Sequence, residues 1–165
     1  MRIEPIVQHR DRIATLAAWH HAQWGHLYSH WTYEVAFAEL REQASREQGL
    51  PTTLLALDGE ELLGSVSLVF EDAPELQEHG SPWLASLYVK PEARGRGIGA
   101  ALVRAALARA AEEDVEELFL FTPEHRDFYA RLGWRPLART ALKGTAVDLM
   151  CIAPRARTDP ARSAA

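Results

Sequence analysis

Residues 94–100, Arg-Gly-Arg-Gly-Ile-Gly-Ala, bring two guanidinium groups and three alternating glycines to the start of a helix-forming run. Glycines at 95, 97 and 99 clear side chains from a backbone that must come close to a ligand, and they reach positive φ without steric penalty. The first amides of a helix have no intrahelical partners and stand at the positive end of its dipole, so a diphosphate suits them. Arg94 and Arg96 add formal charge. From Ile98 onward, Ile98, Leu102, Val103, Ala106, Leu107 and Ala110 share one apolar face at helical period, with Arg104 opposite, which predicts a helix over 97–113. A P-loop would close the turn with Gly-Lys-Ser/Thr, whereas Gly99-Ala100-Ala101 closes this one. Gly95, Gly97 and Ala100 also satisfy the dinucleotide pattern. Against it, the glycines follow several predicted strands instead of the first, and residues 90–94 separate strand from turn.

A second informative block is Leu-Phe-Leu-Phe-Thr-Pro at 118–123, followed by His125-Arg126-Asp127-Phe128-Tyr129-Ala130-Arg131-Leu132-Gly133-Trp134. The continuous apolar run fits a parallel strand buried on both faces. With the strand at 83–89 and the helix between, it forms a βαβ unit with a right-handed crossover, whose ligand sits beyond the carboxyl ends of the strands, between Val89 and Thr122. Thr122 and Pro123 read as N-cap and first residue of a helix over 124–132 that Gly133 ends.

Together these two blocks resemble the GNAT superfamily of acyl-CoA-dependent N-acyltransferases, whose pyrophosphate loop is Gln/Arg-x-x-Gly-x-Gly/Ala; Arg94, Gly97 and Gly99 fill it, and 118–134 is similar to the family's fifth strand and following helix. The resemblance covers residues 1–153. It implies an α+β fold, a central mixed and splayed β-sheet flanked by about four helices, as one domain over 1–153, with 154–165 expected to be a disordered tail. It also implies acetyl-CoA as cosubstrate, held by Leu87, Tyr88, Val89, Arg94, Gly95, Arg96, Gly97, Ile98, Gly99, Ala100, Phe128 and Tyr129. A backbone amide near Leu87 is expected to stabilise the oxyanion, and the Tyr129 hydroxyl to protonate the departing sulfur.

The general base has no direct counterpart. Alternation places Ser86 and Tyr88 on one face of the strand before the loop, where some family members carry a carboxylate. Glu71 and Asp72, at the end of the preceding strand, are the acidic alternatives, because adjacent like charges raise a pKa; Glu71 is taken as the base. The function expected is acetyl transfer from acetyl-CoA to a primary amine by direct attack. The alternative, while the base is unidentified, is a catalytically silent acyl-CoA-binding sensor or partner subunit.

The remaining elements position this chemistry. A first strand at 3–7, a helix over 9–24, and a second helix capped by Thr32 and carrying Val35, Phe37, Leu40 and Arg41 come first. A hairpin then turns at Asp58-Gly59, and Glu71 to Pro82 reads as a mobile loop for want of periodicity. A closing antiparallel pair surrounds Lys143-Gly144. The segment 19–31, dense in His and Trp, resembles a lid over the acceptor. His26 and His30 have metal-ligand spacing, but Gly25 and Ser29 weaken a helix there and no carboxylate accompanies them, so no metal is expected.

The chain has 165 residues, 47% hydrophobic, a net charge of −5 and one cysteine. The size suits a single core. The acidic balance argues against a nucleic-acid partner and mildly favours a cationic acceptor, a small amine or a protein N-terminus or lysine. Without a basic-then-apolar leader or a long apolar run, no membrane partner is expected and the location expected is cytoplasmic. Cys151 reads as a buried hydrophobe in the last strand. Exposed edge strands leave a homodimer open.

Overall fold

The computed structural model describes residues 1–155. Seven strands, β1 (Arg2–Pro5), β2 (Thr52–Asp58), β3 (Glu61–Val69), β4 (Trp83–Val89), β5 (Leu118–Thr122), β6 (Arg135–Leu142) and β7 (Thr145–Ile152), form one sheet in the order β1-β2-β3-β4-β5-β7-β6. Every pairing is antiparallel except β4 with β5. The helices are α1 (Ile13–Trp24), α2 (Tyr33–Gln43), α3 (Ile98–Glu112) and α4 (Arg126–Arg131). The mixed sheet with four helices is the architecture the motifs imply.

Period-two alternation sorts the sheet residues between two layers. Leu54, Ala56, Val66 and Leu68 point to one face and pack against Ile98, Leu102, Val103 and Ala106 of α3. Leu55, Leu57 and Leu62 point to the other, where Leu16 and Ala17 of α1 and Ala36 and Leu40 of α2 cover them. In α2 the buried stripe is Ala36, Leu40 and Gln43, and Val35 is 39% exposed, so the expected apolar face is rotated by one residue. Thr32 does cap this helix, its hydroxyl accepting from the Val35 N–H at 3.2 Å.

Three local expectations change. Residues 6–8 and 10–12 form 3-10 turns, so α1 starts only at Ile13. Thr122 caps a turn, accepting from His125 N–H at 3.0 Å, and α4 begins at Arg126. Glu71 to Pro82 is not an open loop. Pro74–His79 is a 3-10 helix whose Leu76, 3% exposed, joins Ala73, Trp83, Phe119, Leu142 and Leu149 in a third apolar cluster. Two buried residues three apart, Ala73 and Leu76, with Pro74 at the first turn, are the short-period signal that a search for α or β periodicity passes over.

The feature that shapes the site lies in β4. Ser65 pairs with Tyr88 and Ser67 with Ala85, so three steps along β4 oppose two along β3, a β-bulge, and Ser86 within it has φ +53°. The extra residue resets alternation. Leu87 and Val89 join Leu84 on the α3 face, while Tyr88 turns to α1, its ring centroid 5.4 Å from that of Trp19. Leu84 and Leu87, three apart, therefore share a face that simple alternation would deny them. Beyond this point β4 and β5 part: their only register pair is Trp83 with Phe119, at the start of both strands.

At the chain's end Arg155 is anchored to the C-terminus of α3, donating to Ala111 O at 3.2 Å and pairing with Asp114 at 2.6 Å. Residues 154 and 155 of the tail expected over 154–165 are thus described, and the rest of it lies outside the described residues. Among the described residues no helix is long and apolar enough to cross a membrane.

Leu76→Ala, which empties a buried site and frees the 3-10 segment from the sheet, is expected to destabilise the protein by about 2–4 kcal/mol in urea titration.

Candidate active site

The glycine loop has the geometry of an anion cradle. Gly95 and Gly97 have φ of +77° and +79°, and a Cβ at either would meet open space. Side chains are thus excluded by backbone conformation rather than by crowding. The first helical bond of α3 runs from Ala101 N–H to Gly97 O at 3.1 Å, so the amides of Ile98, Gly99 and Ala100 have no intrahelical acceptor. Ile98 is buried and anchors the turn, while residues 94–97 are exposed.

The basic groups around this turn divide. Arg94 folds back, its Nε donating to Val89 O at 2.8 Å and its guanidinium lying 5.7 Å from the Tyr88 ring centroid. Lys90 pairs with Glu61. Arg96 is exposed with no ion pair among the described residues, which leaves it the mobile cation beside the amides. Of the two expected arginines, one therefore braces the loop. Phe128 approaches the same turn: a Cβ on Gly99 would lie 3.6 Å from its ring and 3.9 Å from Val89.

Where β4 leaves β5, its polar backbone is open. Lys90 N–H bonds Leu63 O at 2.9 Å, and antiparallel alternation then turns the Tyr88 groups toward Ser65 of β3 and those of Leu87 and Val89 toward the gap. Val89 O is taken by Arg94 Nε, so the Leu87 groups and the Val89 N–H are what faces the gap without a neighbouring strand, a strip suited to a ligand.

A cavity of about 1080 Å³ occupies and extends beyond the gap. Its walls include Leu84, Leu120 and Tyr129 from the α3 face and His20, Ser67 and Phe121 from the other. It thus passes through the sheet. Its lining also draws on α1, α2, residues 26–31, β4 and Tyr129 of α4.

Three titratable groups in its wall are displaced from their ordinary behaviour. Asp72 keeps a narrow exposure to the cavity but is otherwise enclosed by protein, and burial pushes its carboxyl up to about 7. Tyr129 is 7% exposed, packed at 4.9 Å from the Phe128 ring and 6.0 Å from Trp134; burial first, then the Asp72 charge, push its phenol up to about 12. His20, 3% exposed, contacts Ser65 Oγ through Nε2 at 2.9 Å, and burial lowers it to about 4, so it is neutral near pH 7. Beside it Thr53 Oγ1 donates to Gln43 Oε1 at 2.5 Å and lies 2.7 Å from Ser67 Oγ, so Gln43 and Ser67 present a fixed polar pair to the cavity.

Of the sequence-derived site residues, Leu87, Glu71 and Tyr129 line the cavity, whereas Tyr88, Val89, residues 94–100 and Phe128 lie outside its wall. Glu71 is exposed at the cavity edge, while its neighbour Asp72 turns inward. The cause of the Asp72 shift is desolvation, not repulsion by Glu71. His26 and His30 do not share a helix face, because Gly25–Leu27 is a 3-10 turn and Tyr28 is extended. The roles of Gln43, Ser67 and Lys143 at the wall were invisible to sequence pattern. They arise from contacts across the chain, as in Lys143 Nζ donating to Leu27 O at 3.0 Å.

A mixed sheet whose two parallel strands part beyond Trp83 and Phe119, with a glycine turn opening the helix between them, is the fold that the sequence motifs imply. The chain belongs to the GNAT acetyltransferase family, whose model matches residues 13–134, and is an acyl-CoA-dependent N-acetyltransferase. Among solved structures it is similar to an aminoglycoside 6'-N-acetyltransferase complexed with coenzyme A, 17% identical over 96% of this chain and 100% of that one, TM-score 0.74. An aminoglycoside 6'-acetyltransferase type Ii is 18% identical over 95% and 99%, TM-score 0.72. A spermidine/spermine N-acetyltransferase from Vibrio cholerae is 14% identical over 93% and 94%, TM-score 0.66. At these identities the likeness is one of fold. No curated protein matches the chain in sequence.

The raised Asp72 carboxyl carries a stability consequence. Between its unfolded value near 3.8 and its folded value of about 7 the native state binds the extra proton, so stability falls as pH rises through that window. Asp72→Asn is expected to raise the Tm by several degrees near pH 8 and to leave it little changed near pH 3, in thermal melts followed by circular dichroism.

Proposed function

We propose that this enzyme acetylates a primary amine of a cationic acceptor by direct attack on acetyl-CoA, with Asp72 as general base, the Leu87 amide as oxyanion donor and Tyr129 as general acid. The observation that carries this reading is the cavity lined from both faces of the sheet, which joins the β4 edge at Leu87 to a half-buried carboxylate and a buried phenol.

The residues present suit the thioester substrate. The amides of 98–100 and Arg96 meet the diphosphate, and the Leu87 and Val89 backbone groups pair with the amide-bearing arm as a missing β5 neighbour would. Phe128 and Val89 close over the loop. The acceptor enters the cavity near α1 and α2. Its walls carry six carboxylates, Glu39, Glu42, Glu71, Asp72, Glu75 and Glu124, against one lysine and no arginine, a field that concentrates cations. Acetylation of aminoglycosides and spermidine by structural neighbours accords with such an acceptor.

The chemistry then balances as follows. The Asp72 carboxylate takes a proton from the acceptor ammonium, and the freed lone pair forms the N–C bond. Negative charge grows on the carbonyl oxygen, where the preoriented Leu87 N–H stabilises it more than it does the planar thioester. The C–S bond breaks, and the thiolate receives the proton of the Tyr129 hydroxyl, which at a pKa of about 12 is fully protonated at neutral pH. The second proton lost by the nitrogen restores the phenol, and Asp72 passes its proton to solvent, so ammonium and thioester become amide, thiol and one released proton. Asp72 replaces Glu71 as the base because an exposed carboxylate lacks the desolvation that tunes a base toward neutrality.

Thiol release over a panel of amines tests this reading. In the wild type kcat/KM is expected to rise with unit slope and level above about 7. Asp72→Asn is expected to lose that limb and at least about a hundredfold in rate. Glu71→Gln is expected to keep both. Loss of the limb in Glu71→Gln instead would return the role to Glu71. Tyr129→Phe is expected to lower kcat about tenfold or more while keeping the limb and the KM for acetyl-CoA.

In calorimetry Gly97→Ala, which forces a Cβ into the left-handed region, is expected to weaken coenzyme A binding about tenfold. Undiminished binding would remove the loop from the cofactor site.

A further inference from the structure

Sixteen of the chain's eighteen basic residues are arginines, and Lys90 and Lys143 are the only lysines. Lys143 stands at the tip of the β6–β7 hairpin, where it and Gly144 both have positive φ, 49° and 80°. Because Asp148 pairs with Thr122, the tip projects past the carboxyl end of β5 and overhangs the cavity. Its ammonium donates to Leu27 O at 3.0 Å and sits 4.3 Å from the centroid of the Tyr28 ring. Though six carboxylates line the same cavity, Lys143 makes no ion pair among the described residues. Its partners are a neutral carbonyl and an aromatic face, the two groups that recognise an ammonium by shape and quadrupole rather than by net charge.

The seat is not isolated from the chemistry. The Tyr28 phenol is raised by burial and then by the charges of Asp72 and Glu75, with which it lines one cavity, while its ring face holds the lysine. Residues 25–31, which carry the seat, are joined by a 3-10 turn and extended chain instead of a continuous helix. The hairpin tip opposite is exposed, so release of Lys143 to solvent costs little beyond the contact itself.

We propose that the Tyr28 face and Leu27 carbonyl are a second ammonium subsite of the acceptor site, that Lys143 is its resident occupant in the free enzyme, and that the distal ammonium of a diamine or polyamine acceptor displaces it. The proposal rests on the reading of the cavity as the acceptor site and deepens it: the preferred acceptor carries two cationic nitrogens, one at Asp72 and one across the Tyr28 ring.

Calorimetry on the protein saturated with coenzyme A tests it without turnover, using butane-1,4-diamine against butylamine. The wild type is expected to bind the diamine more tightly. Lys143→Met, which keeps the stem and removes the charge, is expected to tighten the diamine about threefold to thirtyfold, the range of a cation–aromatic contact, and to leave butylamine unchanged. Tyr28→Phe, which keeps the ring face, is expected to retain the diamine advantage, and Tyr28→Leu to lose it. Equal affinity for the two amines in both wild type and Lys143→Met overturns the subsite. So does equal weakening of both amines in Lys143→Met, which would make the lysine a clasp for residues 25–31. Failure of coenzyme A itself to bind would count against the proposed reaction instead, and the diamine titration of the coenzyme-free protein still reads the seat.

Discussion

The site depends on a pair of parallel strands that meet once and then separate. A sheet normally satisfies each strand's polar backbone through its neighbours, and leaving such groups unpaired in an interior is costly. In this protein β4 touches β5 in register only at Trp83 and Phe119, and the bulge at Ser86 turns the next residues out of simple alternation. Packing holds the gap open from both sides. Leu84, Leu87 and Val89 are fixed against the α3 layer, and Tyr88 is fixed among the aromatic rings of α1. Closure of the gap would need both layers to shift together.

That one departure from sheet regularity accounts for the placement of the chemistry. The gap exposes the Leu87 backbone, lets a cavity run through the sheet, and brings groups from opposite faces to one space. Asp72 comes from the segment that covers the lower face of β5 and β7, Tyr129 from a short helix on the upper face. Each is perturbed chiefly by burial, in the direction that suits its proposed role: the carboxyl is brought near neutrality and the phenol is kept protonated. Low polarity in the cavity wall thus tunes both groups at once.

The acceptor side is built differently from the cofactor side. In the proposed reading coenzyme A is met by backbone, at the α3 amides and the open edge of β4, which demands only small residues and the correct φ. The proposed acceptor space is lined by side chains from α1, α2, the 3-10 segment and the β6–β7 hairpin, four elements distant in sequence. Backbone recognition survives wide sequence change, and side-chain recognition does not. This fits a chain that shares the fold of aminoglycoside and polyamine acetyltransferases at 14–18% identity.

The residues alone determined the glycine cradle, the apolar helix after it and the apolar strand before a Phe-Tyr helix, because these rest on local spacing, and the resemblance of those motifs to one family implied the mixed sheet and the candidacy of Leu87 and Tyr129. Tertiary structure decided what depends on enclosure. Glu71 and Asp72 are adjacent carboxylates on paper, and only the packing of Ala73 and Leu76 turns one inward and leaves the other in solvent. The bulge at Ser86, the polar pair of Gln43 and Ser67, and the seating of Lys143 on Tyr28 are likewise set by partners many residues away. Periodicity reports which residues an element buries, whereas a pKa or a binding cavity is set by what several elements together exclude, which is water.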